Sequence, residues 1–476
     1  MAMDQRQLEA KERIKAHIQK SQLAEADVLI RSWEQTYGKD DLFHLFGAIV
    51  AMERRAFPSA EKSLFAALEQ APERFEILYL LGSLYEQLGD FPYALDWYRK
   101  ARRVANAGQL AQIDAVPQRI PGVDASLSMG KRKLTIFVRA GLDQFLDDLV
   151  GGLGRHFDVQ KVVVSRLEEI EPHMAEADIC WFEWCDELIA HASRLEIARR
   201  KPIVCRLHRY EAFTAVPSQV VWENVDALLL VAGHLLSILR NTVPGIEDRV
   251  QVAVVKNGVD VDRYRFVPRN HGFNLASVGY IHSRKNPMML LQIMAKLVRF
   301  DDRYRLHVAG QFQEPLVQLY WNHAVVQLGL KDNIRFDGWQ KDIGSWLEDK
   351  QILLSTSIHE SFGYSIAEAM AMGIKPVVHH FPFAGGIWPE QILFNTVDEA
   401  VGMVTSNVYS SKAYREFIEQ HYALFTQVTE TRKVLAGLPL EKRRDVKTPL
   451  FEKGALRQKV DQLLVTPTVT PSEAVG

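Results

Sequence analysis

Residues His359 to Gly373 read HESFGYSIAEAMAMG. Before them, Ile352 to Ser357 (ILLSTS) has the pattern of a buried strand, and IAEAMAM is a run of helix formers. Between the two, Ser-Phe-Gly-Tyr-Ser makes a short turn. Strand, tight turn and helix is the arrangement by which α/β proteins present backbone N–H groups to phosphate. The N–H groups of Phe362 to Ser365 are expected to be first-turn donors at the positive end of the helix dipole, where a diphosphate is stabilised. Glu360 and Glu368 lie eight positions apart across this turn. Glu368, one turn into the helix, is placed to reach a ribose diol beside the phosphate. Acidic residues near a helix start also follow from the dipole alone. The strand before them, and Gly373 with strand KPVVHH after them, favour a site.

Outward from this element the same alternation recurs. From Lys133 the strands are LTIFV, VQKVVVS, DICWFEW, PIVCRLH, ALLLVAG and VQVAVV, with QFLDDLVGGLGRHF as the first helical stretch. A second series starts near Asn274: LASVGYI, YRLHVAG, IRFDGW, ILLSTS and KPVVHH. Strands alternating with helical segments imply parallel sheets. The reading is two doubly wound α/β domains, 131–262 and 263–445, with a cleft between them and a C-terminal helix and disordered tail at 446–476.

Residues 8 to about 106 are helical in pattern and they repeat. Leu23, Phe57 and Phe91 align at a 34-residue step, as do Ala26, Ala60 and Ala94, then Ile30, Leu64 and Tyr98. Helix pairs repeated at this period stack into a solenoid with a concave face. The range 1–110 is assigned to these repeats. The Gly-, Pro-, Ser- and Gln-containing stretch after residue 107 has no periodicity, and 111–130 is read as a linker.

A chain of 476 residues suits two or three domains. Apolar content of 47%, charged content of 24% and a net charge of -2 carry no footprint of nucleic-acid binding. The longest apolar run, Ala227 to Leu239, is broken by His234 and Ser237 and is too short to span a bilayer. Cys180, Cys185 and Cys205 sit in apolar surroundings, which argues against a disulfide framework and for a reducing cytoplasm. The N-terminus, MAMDQRQLEAKERIK, has no apolar core of a secretory signal.

The Glu360/Glu368 element resembles the E-x7-E signature of retaining glycosyltransferases of the GT-B fold, family 4 in particular. The last helix pair, LYLLGSLYEQLGDFPYALDWYRKA, resembles a tetratricopeptide repeat, with Gly82, Tyr85, Ala94, Tyr98 and Ala101 at that family's positions. The resemblance to the transferases extends over about Lys133 to Arg444. VGYIHSRKNP, Val278 to Pro287, resembles the family's phosphate-clamping loop. Lys285 matches its Lys, Tyr280 stands where the family has Arg, and Arg284 is the substitute cation. Ser361 and Ser365 stand where the family more often has Gly and Pro. Asn257-Gly258-Val259-Asp260 is similar to the family's crossover element, and Asn257-Gly258 is expected to turn with positive φ. In CRLHRYE, His208 ends a strand facing the cleft, and the resemblance implies that it contacts the transferred sugar. Gly141, after LTIFV, matches the family's first loop.

These matches imply a GT-B enzyme preceded by an all-α tetratricopeptide-like solenoid. It would transfer a sugar, with retention, from a UDP- or GDP-linked donor to an acceptor on a surface polysaccharide, a glycolipid or a protein. The resemblance gives His208, Lys285 and Glu360 to the reaction, and Gly141, Arg284, Lys285, Phe362, Gly363 and Glu368 to the donor. Glu183 and Glu211 are weaker candidates for the acceptor, and packing of the neighbouring tryptophans is the plainer reading for the first of them. No Asp-x-Asp motif stands at a useful strand end, and His359-Glu360 is not H-E-x-x-H because residue 363 is Gly. A metal-independent mechanism without a cofactor is therefore expected. The solenoid suggests a protein partner or acceptor, with bracing or oligomerisation as the alternative. Arg199, Arg200 and Lys201 follow an amphipathic stretch, ELIAHASRLEIA, that would suit peripheral contact with the inner membrane face, or simply solvent. Two other functions fit the same sequence: another GT-B enzyme such as a sugar epimerase, and a non-catalytic scaffold with a degenerate transferase core.

Overall fold

The computed structural model describes residues 5–114, 116, 131–143 and 146–439. The expected tail at 446–476 and most of the expected linker lie outside the described residues. The chain forms two compact units, one ending at Arg132 and the other beginning at Lys133.

Among its described residues the first unit is all-helical: α1 (Gln5–Gln19), α2 (Leu23–Tyr37), α3 (Asp41–Glu53), α4 (Phe57–Gln70), α5 (Phe75–Gln87), α6 (Phe91–Val104) and α7 (Ala107–Asp114). Helices α1 to α6 form the three expected pairs. Asp40 caps α3 by accepting from the Phe43 N–H at 2.8 Å, and it also accepts from Trp33 Nε1 at 2.9 Å. Pro58 and Pro92 open α4 and α6, where a missing N–H costs nothing. The small repeat residues Ala26, Ala60 and Ala94 are fully buried. A Cβ at Gly82 would meet the Tyr98 ring at 2.6 Å, so α5 and α6 can cross only over glycine. One expectation is corrected here. The stretch after residue 107 begins as a helix, α7, which buries Ile113 against the same core.

The second unit contains two six-stranded sheets. The first is built from β1 (Lys133–Arg139), β2 (Asp158–Val164), β3 (Ile179–Phe182), β4 (Ile203–Leu207), β5 (Ala227–Leu230) and β6 (Gln251–Val254), in the order β2-β1-β3-β4-β5-β6. The second contains β7 (Asn274–Val278), β8 (Arg305–Ala309), β9 (Ile334–Gly338), β10 (Ile352–Ser355), β11 (Lys375–His379) and β12 (Leu393–Phe394), in the order β12-β11-β10-β7-β8-β9. Neighbouring strands pair parallel in both sheets. Strands β3, β4 and β5 are buried on both faces, which explains their continuous apolar runs.

Each sheet reverses its strand order once, between β1 and β3 and between β7 and β10. Ligands in such sheets bind beyond the carboxyl ends of the strands at these points. The loops after β7 and β10 are therefore side by side at the second reversal.

The last helix among the described residues, Leu424–Ala436, departs from the expected domain limits. It lies within the range assigned to the second domain, yet its Val428 and Leu435 pack with Leu134, Ile136 and Leu149 of the first. A Cβ at Gly152 would meet Val428 at 2.5 Å, which explains that glycine. Gly258 is also corrected. It is absent from the residues with positive φ, so no left-handed turn calls for it. Glycine is needed there because a Cβ would stand 2.7 Å from the Leu424 Cα, where the chain returns to the first domain. Among the described residues no helix is long and apolar enough to cross a membrane.

Candidate active site

The loop after β10 turns into helix Tyr364–Ala371 through Gly363, whose φ of 94° is open to glycine and strained for other residues. The backbone N–H groups of Phe362, Gly363 and Ser365 find no acceptor among the described residues. Phe362 reaches the site only through its backbone, because its ring is buried against Trp388 and Tyr422, with centroids at 5.6 and 5.0 Å.

Two hydroxyls fasten this loop. Thr356 Oγ1 donates to the carbonyls of Lys285 (2.9 Å) and Asn286 (3.1 Å), and the Ile358 N–H donates to the Arg284 carbonyl at 2.9 Å. The β7 loop is thereby held against the β10 loop. Lys285 Nζ donates to Glu360 Oε1 at 2.6 Å, and Ser357 Oγ donates to the same oxygen at 2.8 Å. Burial pushes the Glu360 carboxyl up, but Lys285, the Ser357 bond and Arg209 together hold it below its ordinary value. Gly279, at φ 131°, leaves room for this lysine, since a Cβ there would be 3.4 Å from Lys285 Cε. Ser277, Gly279, Tyr280, Lys285, Ser357 and Ser365 line one cleft at the ends of β7 and β10. Tyr280 turns its ring onto exposed Trp339, with centroids at 4.8 Å. Tyr264 donates to Glu368 Oε1 at 2.8 Å, and no donor reaches the second oxygen among the described residues. Burial raises the Glu368 carboxyl despite the Tyr264 bond and Arg263.

Across the cleft, the ends of β3 and β4 carry a buried polar network. Glu183 Oε1 lies 2.8 Å from His208 Nε2 and 3.1 Å from Arg206 Nη1, and its Oε2 accepts from Trp181 Nε1 at 2.8 Å. Arg206 also donates to Asn257 Oδ1. Glu211 Oε1 accepts from the N–H groups of His208 (3.1 Å) and Cys185 (3.3 Å), and burial pushes this carboxyl up to about 7. Glu183 and Glu211, expected to face the acceptor, are instead fully buried, one orienting the His208 ring and the other its backbone. A carboxylate beneath two cationic or polar neighbours is drawn inward, where each charge is matched. Burial lowers the His208 imidazole, with Glu183 opposing and Arg206 assisting, so the ring is held towards its neutral form. Gly141 has a φ of 80° with open space on its Cβ side.

Several residues of this cleft escaped the sequence reading. Arg206 and Tyr264 hold His208's carboxylate partner and Glu368. Arg209 reaches from the first domain to the His359 carbonyl at 3.3 Å. His234, opening helix His234–Thr242 of the first domain, stacks on Phe383 of the second with centroids at 4.6 Å and planes 4° apart. Phe383 holds a positive φ of 70° in doing so. Burial, with His359 adding, lowers His234 to about 4. A base depressed in the fold contributes stability that is present above its unfolded value, near 6.5, and lost as pH falls towards 4. In urea titrations between pH 4 and 7, His234→Phe is expected to keep the stack and flatten the pH slope by up to about 1.4 kcal/mol per pH unit. An unchanged slope would show that this ring is not the one titrating.

Residues 272–396, roughly a quarter of the chain, match the family model described as glycosyl transferases group 1. No curated protein matches the sequence. Among solved structures, HepE of Anabaena in complex with UDP and glucose is similar over 64% of this chain and 100% of its own, at 16% identity and a TM-score of 0.55. The same protein in complex with UDP-glucose aligns over 63% of this chain and 99% of its own, at 16% identity and a TM-score of 0.51. A glycosyltransferase from Rickettsia africae aligns over 64% and 98%, at 14% identity and a TM-score of 0.51. The two-sheet unit thus has the GT-B fold, and the part of it that forms the second sheet is where the glycosyl transferases group 1 model matches.

Proposed function

We propose that the chain is a retaining, metal-independent glycosyltransferase of family 4 type, which moves a sugar from a nucleoside-diphosphate sugar to a hydroxyl of a polysaccharide, glycolipid or protein. The observation that carries this reading is the Lys285–Glu360 pair at 2.6 Å, set beside the unpaired N–H groups of the following turn at the strand-order reversal. Loss of a diphosphate from an anomeric carbon needs stabilisation of developing negative charge rather than a strong base. Lys285 and the helix N-terminus supply it, fixed in place beforehand. The bond from the anomeric carbon to the phosphate oxygen breaks, and the acceptor oxygen bonds to that carbon on the same face. The acceptor proton passes to the departing phosphate. Glu360 orients the sugar hydroxyls, the second oxygen of Glu368 takes the ribose diol, and neutral His208 contacts the sugar. A UDP-linked donor is supported by the UDP and UDP-glucose complexes of HepE. The repeats, read as tetratricopeptide-like, would hold a protein partner or acceptor.

Titration calorimetry with UDP-, GDP- and dTDP-sugars tests the reading. One donor is expected to bind at micromolar to millimolar concentration, and Glu368→Gln to weaken it about tenfold by removing a charge-assisted bond to ribose. If no donor binds, the transferase reading gives way to the scaffold.

A further inference from the structure

Three cations, Lys285, Arg209 and Arg284, converge at the turn that carries Glu360. Lys285 is matched by Glu360 at 2.6 Å. Arg209 and Arg284 are near enough to repel each other, and Arg209 feels the same Glu360, yet neither has a carboxylate at ion-pair distance among the described residues. Three cations thus gather around Glu360, and the buried Glu211 carboxyl, pushed up to about 7, also acts on Arg209. Arg209 is half-buried, and its nearest acceptors are the carbonyl and the Nδ1 of His359, at 3.3 and 3.4 Å across the cleft. Burial and the Arg284 charge both act against its protonated form. A guanidinium does not shed its proton in a protein, so this one stays charged, with no ion-pair partner among the described residues, until a ligand brings negative charge. Tyr280, turned onto Trp339, adds no cation at the mouth.

We infer that Arg209 is a ligand of the donor diphosphate, delivered from the first α/β domain, while Lys285 and Arg284 reach it from the second. This assignment rests on the proposed donor class. It gives the first domain, expected to serve the acceptor, a direct part in holding the leaving group, so donor binding bridges the cleft.

The test is calorimetry of UDP, GDP, inorganic diphosphate and the parent nucleosides on the full chain, with wild type and Arg209→Met. The diphosphates are expected to bind about 10- to 100-fold more weakly to the variant, the loss of one charge-assisted bidentate contact, with nucleoside affinity unchanged. If wild type binds a diphosphate and the variant binds it equally, Arg209 is not its ligand and the proposed function stands. If wild type binds none of these probes, the proposed function fails and this assignment fails with it. Should Arg209→Met unfold early, Arg209→Gln keeps a donor for the His359 carbonyl and carries the same comparison.

Discussion

Replacing Lys285 by methionine is expected to lower turnover about a thousandfold and to destabilise the second α/β domain at neutral pH. The kinetic loss is the size seen when a fixed donor to a developing oxyanion is removed. Lys285 contributes its charge at an atom already positioned by the Thr356 bonds to its loop, so no water or mobile side chain replaces it at the same place. The stability loss has a different origin. Burial works against the Glu360 carboxylate, and Lys285 is the first of the groups that offset it. Without the lysine, burial dominates and the carboxyl rises above its unfolded value. In wild type the depressed Glu360 contributes stability that is present above the unfolded carboxylate value, near 4.5, and lost as pH falls through the folded one. In the variant the sign reverses, and a penalty grows as pH rises above that value. The difference between the two proteins is therefore expected to be largest near pH 7 and small near pH 4, on the order of 1–3 kcal/mol at its maximum for a pair that keeps some solvent contact. Lys285→Met combined with Glu360→Gln should recover the stability and none of the turnover. A double variant that recovers activity would remove Lys285 from the chemistry.

The strand, turn and helix around Glu360 were legible because every signal in them is local: an apolar run, a glycine, then helix formers. The 34-residue step of the solenoid was legible for a similar reason, since Ala26, Ala60 and Ala94 mark the same helix crossing three times. What sequence did not disclose depends on residues far apart in the chain. Arg209 and His359 are 150 positions apart, and nothing near Arg209 signals a partner in the other domain. Gly258 carried a turn signature, but the constraint on it comes from Leu424. The range 263–445 followed the periodicity of the second sheet and could not register that helix Leu424–Ala436 packs on the first. Strand β12 has two residues, too few for any period. For Glu183 the plainer reading, packing beside the tryptophans of DICWFEW, is nearer to what is found: β3 is a central strand, and the carboxylate after it is paired inside with Arg206, a partner 23 positions away.

Removing that carboxylate is the other substitution expected to have a large effect. Glu183→Leu should destabilise the first α/β domain by about 3 to 5 kcal/mol, the range for breaking a buried ion pair from one side. Glu183 is 0% exposed and Arg206 1%, so water does not replace the lost partner. Asn257 remains on the guanidinium but brings no charge. Because arginine does not deprotonate in a protein, the full desolvation cost falls on the fold, whereas a lysine in this position could neutralise itself. Glu183→Leu with Arg206→Met removes both charges and substitutes apolar volume, and its stability should return to within about 1 kcal/mol of wild type or exceed it. Activity should not return with it. His208 would have lost the carboxylate 2.8 Å from Nε2, which selects both its ring orientation and its tautomer. Urea unfolding and initial rates on the same three proteins separate the two roles. Recovered stability with turnover still low makes the Glu183 network a positioning device for His208. Recovered turnover would mean that the ring needs no carboxylate, and that Glu183 serves only to hold Arg206 in the core.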